Sequence, residues 1–168
     1  MTRDMENDRY DLNRILIKPL YFGLVSNILI PMAGLLVCYY IHNNYGRGNT
    51  IGDFDNMLFF IFAILALLQA GFALWWRAKR LRPPMVRSME TFENDLATGL
   101  LHSIRPVFIV IAAISIYGYL YFFLTGRFTE TVAFIFFSFV VFQIVRPRHG
   151  FARKVIARQK EILKQQQS

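Results

Sequence analysis

The side chains best placed to do chemistry lie in or beside long apolar runs. They are the amides of Asn27 and Gln69, the thiol of Cys38, and the possible metal ligands His42, Asp53 and Asp55. Each supports less than its type suggests. Asp53 and Asp55 share one helical turn, so they cannot face each other across two helices as a membrane aspartyl protease requires. His42 could join them in an external metal site. A histidine at the edge of an apolar run is ordinarily just solvated, however, and no metal is expected. Cys38 is the sole cysteine, and quinone-linked disulfide chemistry needs a pair. His42, His102 and His149 all fall near the ends of apolar runs, which leaves haem without an axial ligand at membrane depth. The segment from Gly46 to Gly52 lacks both the preceding strand and the Lys-Ser/Thr of a phosphate loop. The sequence therefore predicts no catalytic residue, no cofactor and no metal, and a chain that is not an enzyme.

What must position these side chains is a set of apolar runs. The chain has 168 residues, of which 55% are hydrophobic and 18% charged, with a mean hydropathy of +0.35. So much apolar surface excludes a disordered chain. A single cysteine excludes a disulfide scaffold. The 10 glycines and 6 prolines show no fibrous period. A membrane-crossing helix needs roughly 20 mostly apolar residues, and four stretches qualify: residues 20–41, 57–76, 107–124 and 128–145. None contains a charged side chain in its interior, which argues against an ion-driven transporter or a proton-conducting rotor subunit. The expected fold is all-α: an integral membrane four-helix bundle of two tandem antiparallel hairpins, with amphipathic cytoplasmic helices. Residues 1–19 would form a cytoplasmic N-terminal segment, residues 20–148 the four-span domain, and residues 149–168 a basic cytoplasmic tail. Residues 77–106 would connect the hairpins on the cytoplasmic side.

Charge sets the expected orientation. Of the 19 basic residues, only Arg47 and Arg127 fall in the two hairpin turns. The others lie in the N-terminal segment, the central connection and the tail. Cytoplasmic loops carry the excess of Lys and Arg, so both termini are expected inside. The net charge of +8 follows from this bias and does not call for a nucleic acid. Trp75 and Trp76 at one interface, and Tyr39, Tyr40 and Tyr121 at the other, suit amphipathic rings at headgroup level.

Residue spacing suggests how the spans associate. Gly23, Asn27, Pro31, Gly34 and Cys38 share one face of the first span, and Ala63, Ala66, Ala70 and Ala73 share one face of the second, beside Gln69. Small residues in a stripe let backbones approach closely where lipid provides no hydrophobic drive, so these stripes are expected to pack together. Asn27 lies ~9 Å in from Tyr21 and Gln69 ~10 Å in from Trp76, so the two amides could bond at equal depth. Outside the spans, Met85, Met89, Phe92, Leu96 and Leu100 recur at helical spacing among acidic residues, and a protein partner is expected there. Val155, Ile156, Ile162 and Leu163 edge the basic tail, where anionic lipid is expected. Candidate partner- or lipid-binding residues are Arg80, Arg82, Arg87, Met89, Phe92, Leu96, Arg153, Lys154 and Arg158. The expected role is that of an accessory, assembly or regulatory subunit of a larger membrane complex. The competing reading is a homo-oligomeric channel or transporter lined by Asn27, Gln69, Ser115 and Gln143. The expected location is the bacterial inner membrane, with the mitochondrial inner membrane as the alternative.

Overall fold

The computed structural model describes residues 12–45, 53–81, 84–86 and 91–167. Every element among them is helical: α1 (Leu12–Leu24), a π-helical turn (Val25–Leu29), α2 (Ile30–Tyr45), α3 (Asp53–Arg80), α4 (Phe92–Thr125), α5 (Phe128–Val145) and α6 (His149–Gln167). Four helical stretches are long and apolar enough to cross a membrane: Ile15–Tyr45, Phe54–Arg80, Phe92–Thr125 and Phe128–Val145. They point to a multi-pass membrane protein. Arg82, Arg87, Met89 and the Gly46–Gly52 segment lie outside the described residues.

The first span is continuous through α1, the π turn and α2. Its irregularity has a cause in sequence. Pro31 has no N–H and its ring crowds the carbonyl four residues back, so a regular helix is disfavoured at Asn27. The chain widens instead: the Ile30 N–H reaches back five residues to the Val25 carbonyl. The Ser26 hydroxyl donates to the Phe22 carbonyl at 2.9 Å, and Asn27 Nδ2 donates to the Gly23 carbonyl at 3.2 Å. Side chains thus satisfy backbone at the entry to the turn.

Helix α4 is the centre of the molecule and contacts α1, the π turn, α2, α3 and α5. Relative directions follow from the pairings. Gly23 faces Phe108 and Gly34 faces Tyr119, so the first span runs parallel to α4. Gln69 meets Val110, whereas Asp55 meets Tyr121, so α3 is antiparallel to it. Ser138 meets Ile111 and Thr131 meets Gly118, so α5 is antiparallel as well. A two-residue turn joins α4 to α5. Gly126 takes φ 73°, and its N–H caps the Phe122 carbonyl at 2.7 Å; a left-handed residue at a helix end is ordinarily glycine.

Three expectations are corrected. First, the small-residue stripes of the first two spans do not form a shared seam. Gly23 lies under the rings of Phe108 and Phe142, and Gly34 under Tyr119, while α3 packs on α4 and α5. A stripe identifies a surface that can be approached closely, and here aromatic rings of α4 and α5 make the approach. Second, the Asn27–Gln69 bond is absent, because α4 stands between the two helices and Gln69 spends its amide on it. Third, among the described residues the central connection has no separate surface helix. Phe92 and Leu96 sit on the same 34-residue helix as the third span and are 1% and 0% exposed. With Leu100 and Ile104 they join one buried cluster with Ile15 and Leu16 of α1 and Ala152, Val155 and Ile156 of α6. Phe92, Leu96, Leu100, Val155 and Ile156, read as partner- or lipid-facing, are thus buried within the chain itself. Gln159, 1% exposed, completes this end: its Oε1 accepts the Met85 N–H at 2.8 Å.

A Cβ on Gly23 would lie 2.7 Å from ring atoms of both Phe108 and Phe142, whereas one on Gly71 meets nothing within 4 Å. Gly23→Ala is therefore expected to lower stability by about 1–3 kcal/mol through overpacking. Gly71→Ala should be neutral, or stabilising by up to about 1 kcal/mol. Thermal unfolding in detergent checks the pair.

Candidate functional site

Asn27 is 2% exposed, and its amide orientation is set by its donors. Nδ2 gives one hydrogen bond to the Gly23 carbonyl and another to Ser26 Oγ at 2.8 Å. That leaves Oδ1 buried without a partner. Asn27 lines a cavity of about 290 Å³ whose other walls are apolar, among them Ile28, Pro31 and Met32 of the first span and Ile135, Phe136 and Phe139 of α5. Gln69 is engaged at both ends of its amide. Nε2 donates to the Val110 carbonyl at 2.6 Å, and Oε1 accepts the Tyr117 hydroxyl at 2.6 Å. Ser115 is 1% exposed with Oγ unpartnered, and Gln143 is half-buried. With Gln69 consumed by α4, these four polar residues do not present free amides to one pathway.

The small residues of α3 have a different use. Ala66, Ala70 and Ala73 are buried. Ala63 and Ala66 floor a groove of about 250 Å³ between α3 and α5, completed by Phe59, Leu67, Ala133, Phe134 and Phe137. Among described residues this groove contains no charged group.

At the turn end, Asp55 is fully buried, and the Arg127 guanidinium reaches it at 3.5 Å. Arg127 also reaches Glu130 at 3.5 Å, while the Tyr121 hydroxyl donates to the Asp55 backbone carbonyl at 3.4 Å. Asp55 thus answers a cation from the other hairpin turn. His42 stacks on Phe128 with centroids 5.7 Å apart. Among the described residues no group of three His, Cys, Asp or Glu side chains could hold a metal.

At the opposite end, cations and rings alternate. The Arg80 guanidinium lies 5.1 Å from the Trp76 ring centre, Lys79 5.3 Å from Trp75, and Arg105 5.1 Å from Phe22. Such contacts suit a headgroup boundary. Arg153, Lys154 and Arg158 are exposed on α6. Lys154 joins Arg77, Arg146 and Arg148 around an open surface cavity of about 560 Å³ that Ile144, Gly150 and Phe151 also line. The Arg77 guanidinium carbon lies over the Phe151 ring, 4.6 Å from its centre, with Nε buried and unpartnered. Sequence reasoning counted Arg77, Arg146 and Arg148 only as topology charges. The available signal was that Trp76-Arg77 and Val145-Arg146-Pro147-Arg148 leave their spans on one side. Neither segment shows alone that the two exits are adjacent. The Asp55–Arg127 pair was missed for the same reason.

Comparison of the chain with family models, with curated proteins and with solved structures finds no match.

Two tests follow. Arg127→Met strands a buried carboxylate, and with Arg127 partly exposed the expected cost is about 1–3 kcal/mol. Asp55→Asn in the same chain should restore part of it, as read by thermal unfolding. For Gln69→Leu and Tyr117→Phe, a double-mutant cycle should give a coupling of about 0.6 kcal/mol, with both variants still inserting.

Proposed function

We propose that this is a non-enzymatic multi-pass membrane protein with both termini in the cytoplasm, acting as an accessory, assembly or regulatory subunit of a larger membrane complex. The observation that carries this reading is the alanine-floored groove between α3 and α5. Leu67, beside it, is 61% exposed, and Ala133 is open on its far wall. Small residues at a groove floor let a further helix approach closely, and in lipid that contact is what drives association. The bacterial inner membrane is the proposed location, because the basic residues gather at the end that carries both termini. The channel reading receives less support, since Gln69 is fully used inside the fold.

The test is purification from native membranes in mild detergent, with Ala133→Trp as the groove-filling variant. The native chain is expected to retain another membrane chain, and the variant to release it without a change in melting temperature. A native chain that purifies alone, or a variant that holds its companion unchanged, contradicts the subunit role.

A further inference from the structure

We infer that the cavity between the ends of α3 and α5 and the start of α6 is a binding site for the phosphate of an anionic phospholipid headgroup. Three separate elements bring cations to it: Arg77 from the last turn of α3, Arg146 and Arg148 from the connection after α5, and Lys154 from α6. No carboxylate lines the cavity, and none pairs with any of the four among the described residues. Like charges gathered this way repel one another unless an anion joins them.

Helix-end capping explains part of the arrangement, because cations are favoured beside the last carbonyls of a helix. It does not explain Arg77. Its guanidinium carbon lies over the Phe151 ring, and its Nε is buried with no acceptor. A buried charged donor without a partner is costly. Nor does it explain α6, whose first turn carries no acidic residue. The first N–H groups of a helix lack intrahelical partners and favour an anion. At Gly150, on the cavity wall, an added Cβ would meet nothing within 4 Å. Side-chain cations and a helix start thus converge on one space.

The space also favours a lipid over a free ion. Ile144 is 58% exposed and continues the wall onto the apolar flank of α5, so a headgroup in the cavity leaves its glycerol and acyl chains along a membrane-facing surface. A basic pocket between the cytoplasmic ends of membrane helices is the usual form of such a site. The inference rests on the membrane orientation proposed above and not on the subunit role.

Native mass spectrometry of the full chain in detergent tests it, with phosphatidylglycerol, phosphatidylcholine or inorganic phosphate added separately. Phosphatidylglycerol adducts are expected to survive where phosphatidylcholine adducts do not. Arg148→Gln and Lys154→Gln should each weaken them about fivefold, the effect of one basic residue near an anionic headgroup. Arg77→Gln should do at least as much. Lys18→Gln removes the same charge from an exposed α1 position outside the cavity and should bind as the native chain does. If Arg77→Gln does not fold, the two exposed cavity variants still decide. Equal retention of both lipids, or an equal loss in all variants, overturns the site. Protection against heat by inorganic phosphate with no lipid adduct overturns the lipid assignment.

Discussion

Helix α4 is too long for the bilayer to cover. At 34 residues it extends ~51 Å, while the hydrocarbon core is ~30 Å thick. The remaining two-fifths must be sheathed by the chain itself. That requirement accounts for the end of the molecule that carries both termini. Phe92, Leu96 and Leu100 share one buried cluster with Ile15 and Leu16 of α1, which packs on α4, and with Val155 and Ile156 of α6, which packs on α1.

Within the membrane-length stretch, α4 is tied to its neighbours by one repeated device. Ser138 of α5 donates to the Ile111 carbonyl at 2.9 Å and Thr131 to the Gly118 carbonyl at 3.1 Å. Gln69 of α3 donates to the Val110 carbonyl, and Tyr119 of α4 donates to the Pro31 carbonyl of α2 at 2.7 Å. A carbonyl has two lone pairs, so it can accept a side-chain donor while remaining available to its own helix. These four side-chain donors are thereby satisfied by backbone. Gln69 spends its amide on α4 in this way, while Asn27 donates within its own helix and keeps an unpartnered Oδ1.

Much of the architecture was legible in the residues. Runs of apolar side chains without charge announce helices long enough to cross a membrane, because no other backbone form is satisfied there. Gly126 marks the turn before α5. What could not be read was which face meets which. Gly23 and Gly34 show that something approaches closely, yet nothing local tells that it is Phe108, Phe142 and Tyr119. The periodicity of Phe92, Leu96 and Leu100 shows a covered face but is silent on whether the cover comes from lipid, a partner or the same chain. Pro106 suggests a break between connection and third span, yet the helix runs through it. The basic cavity was hidden for a similar reason: its cations come from segments some seventy residues apart, and only the packing of the helices brings those segments together.

Such a molecule offers the membrane two unlike ends. One holds a buried Asp55 answered by Arg127; the other holds cations whose partners are rings or open space. The placement of those ends across a bilayer is the claim on which both functional readings depend. Impermeant maleimide labelling tests it most directly, on a chain carrying Cys38→Ser and a single cysteine introduced by Tyr45→Cys or Arg158→Cys. Both positions are exposed, at opposite ends of the molecule. Intact cells with the outer envelope permeabilised should label the first and spare the second until the membrane is lysed. Labelling of both before lysis, or of the second alone, would contradict a four-span protein with its basic end inside.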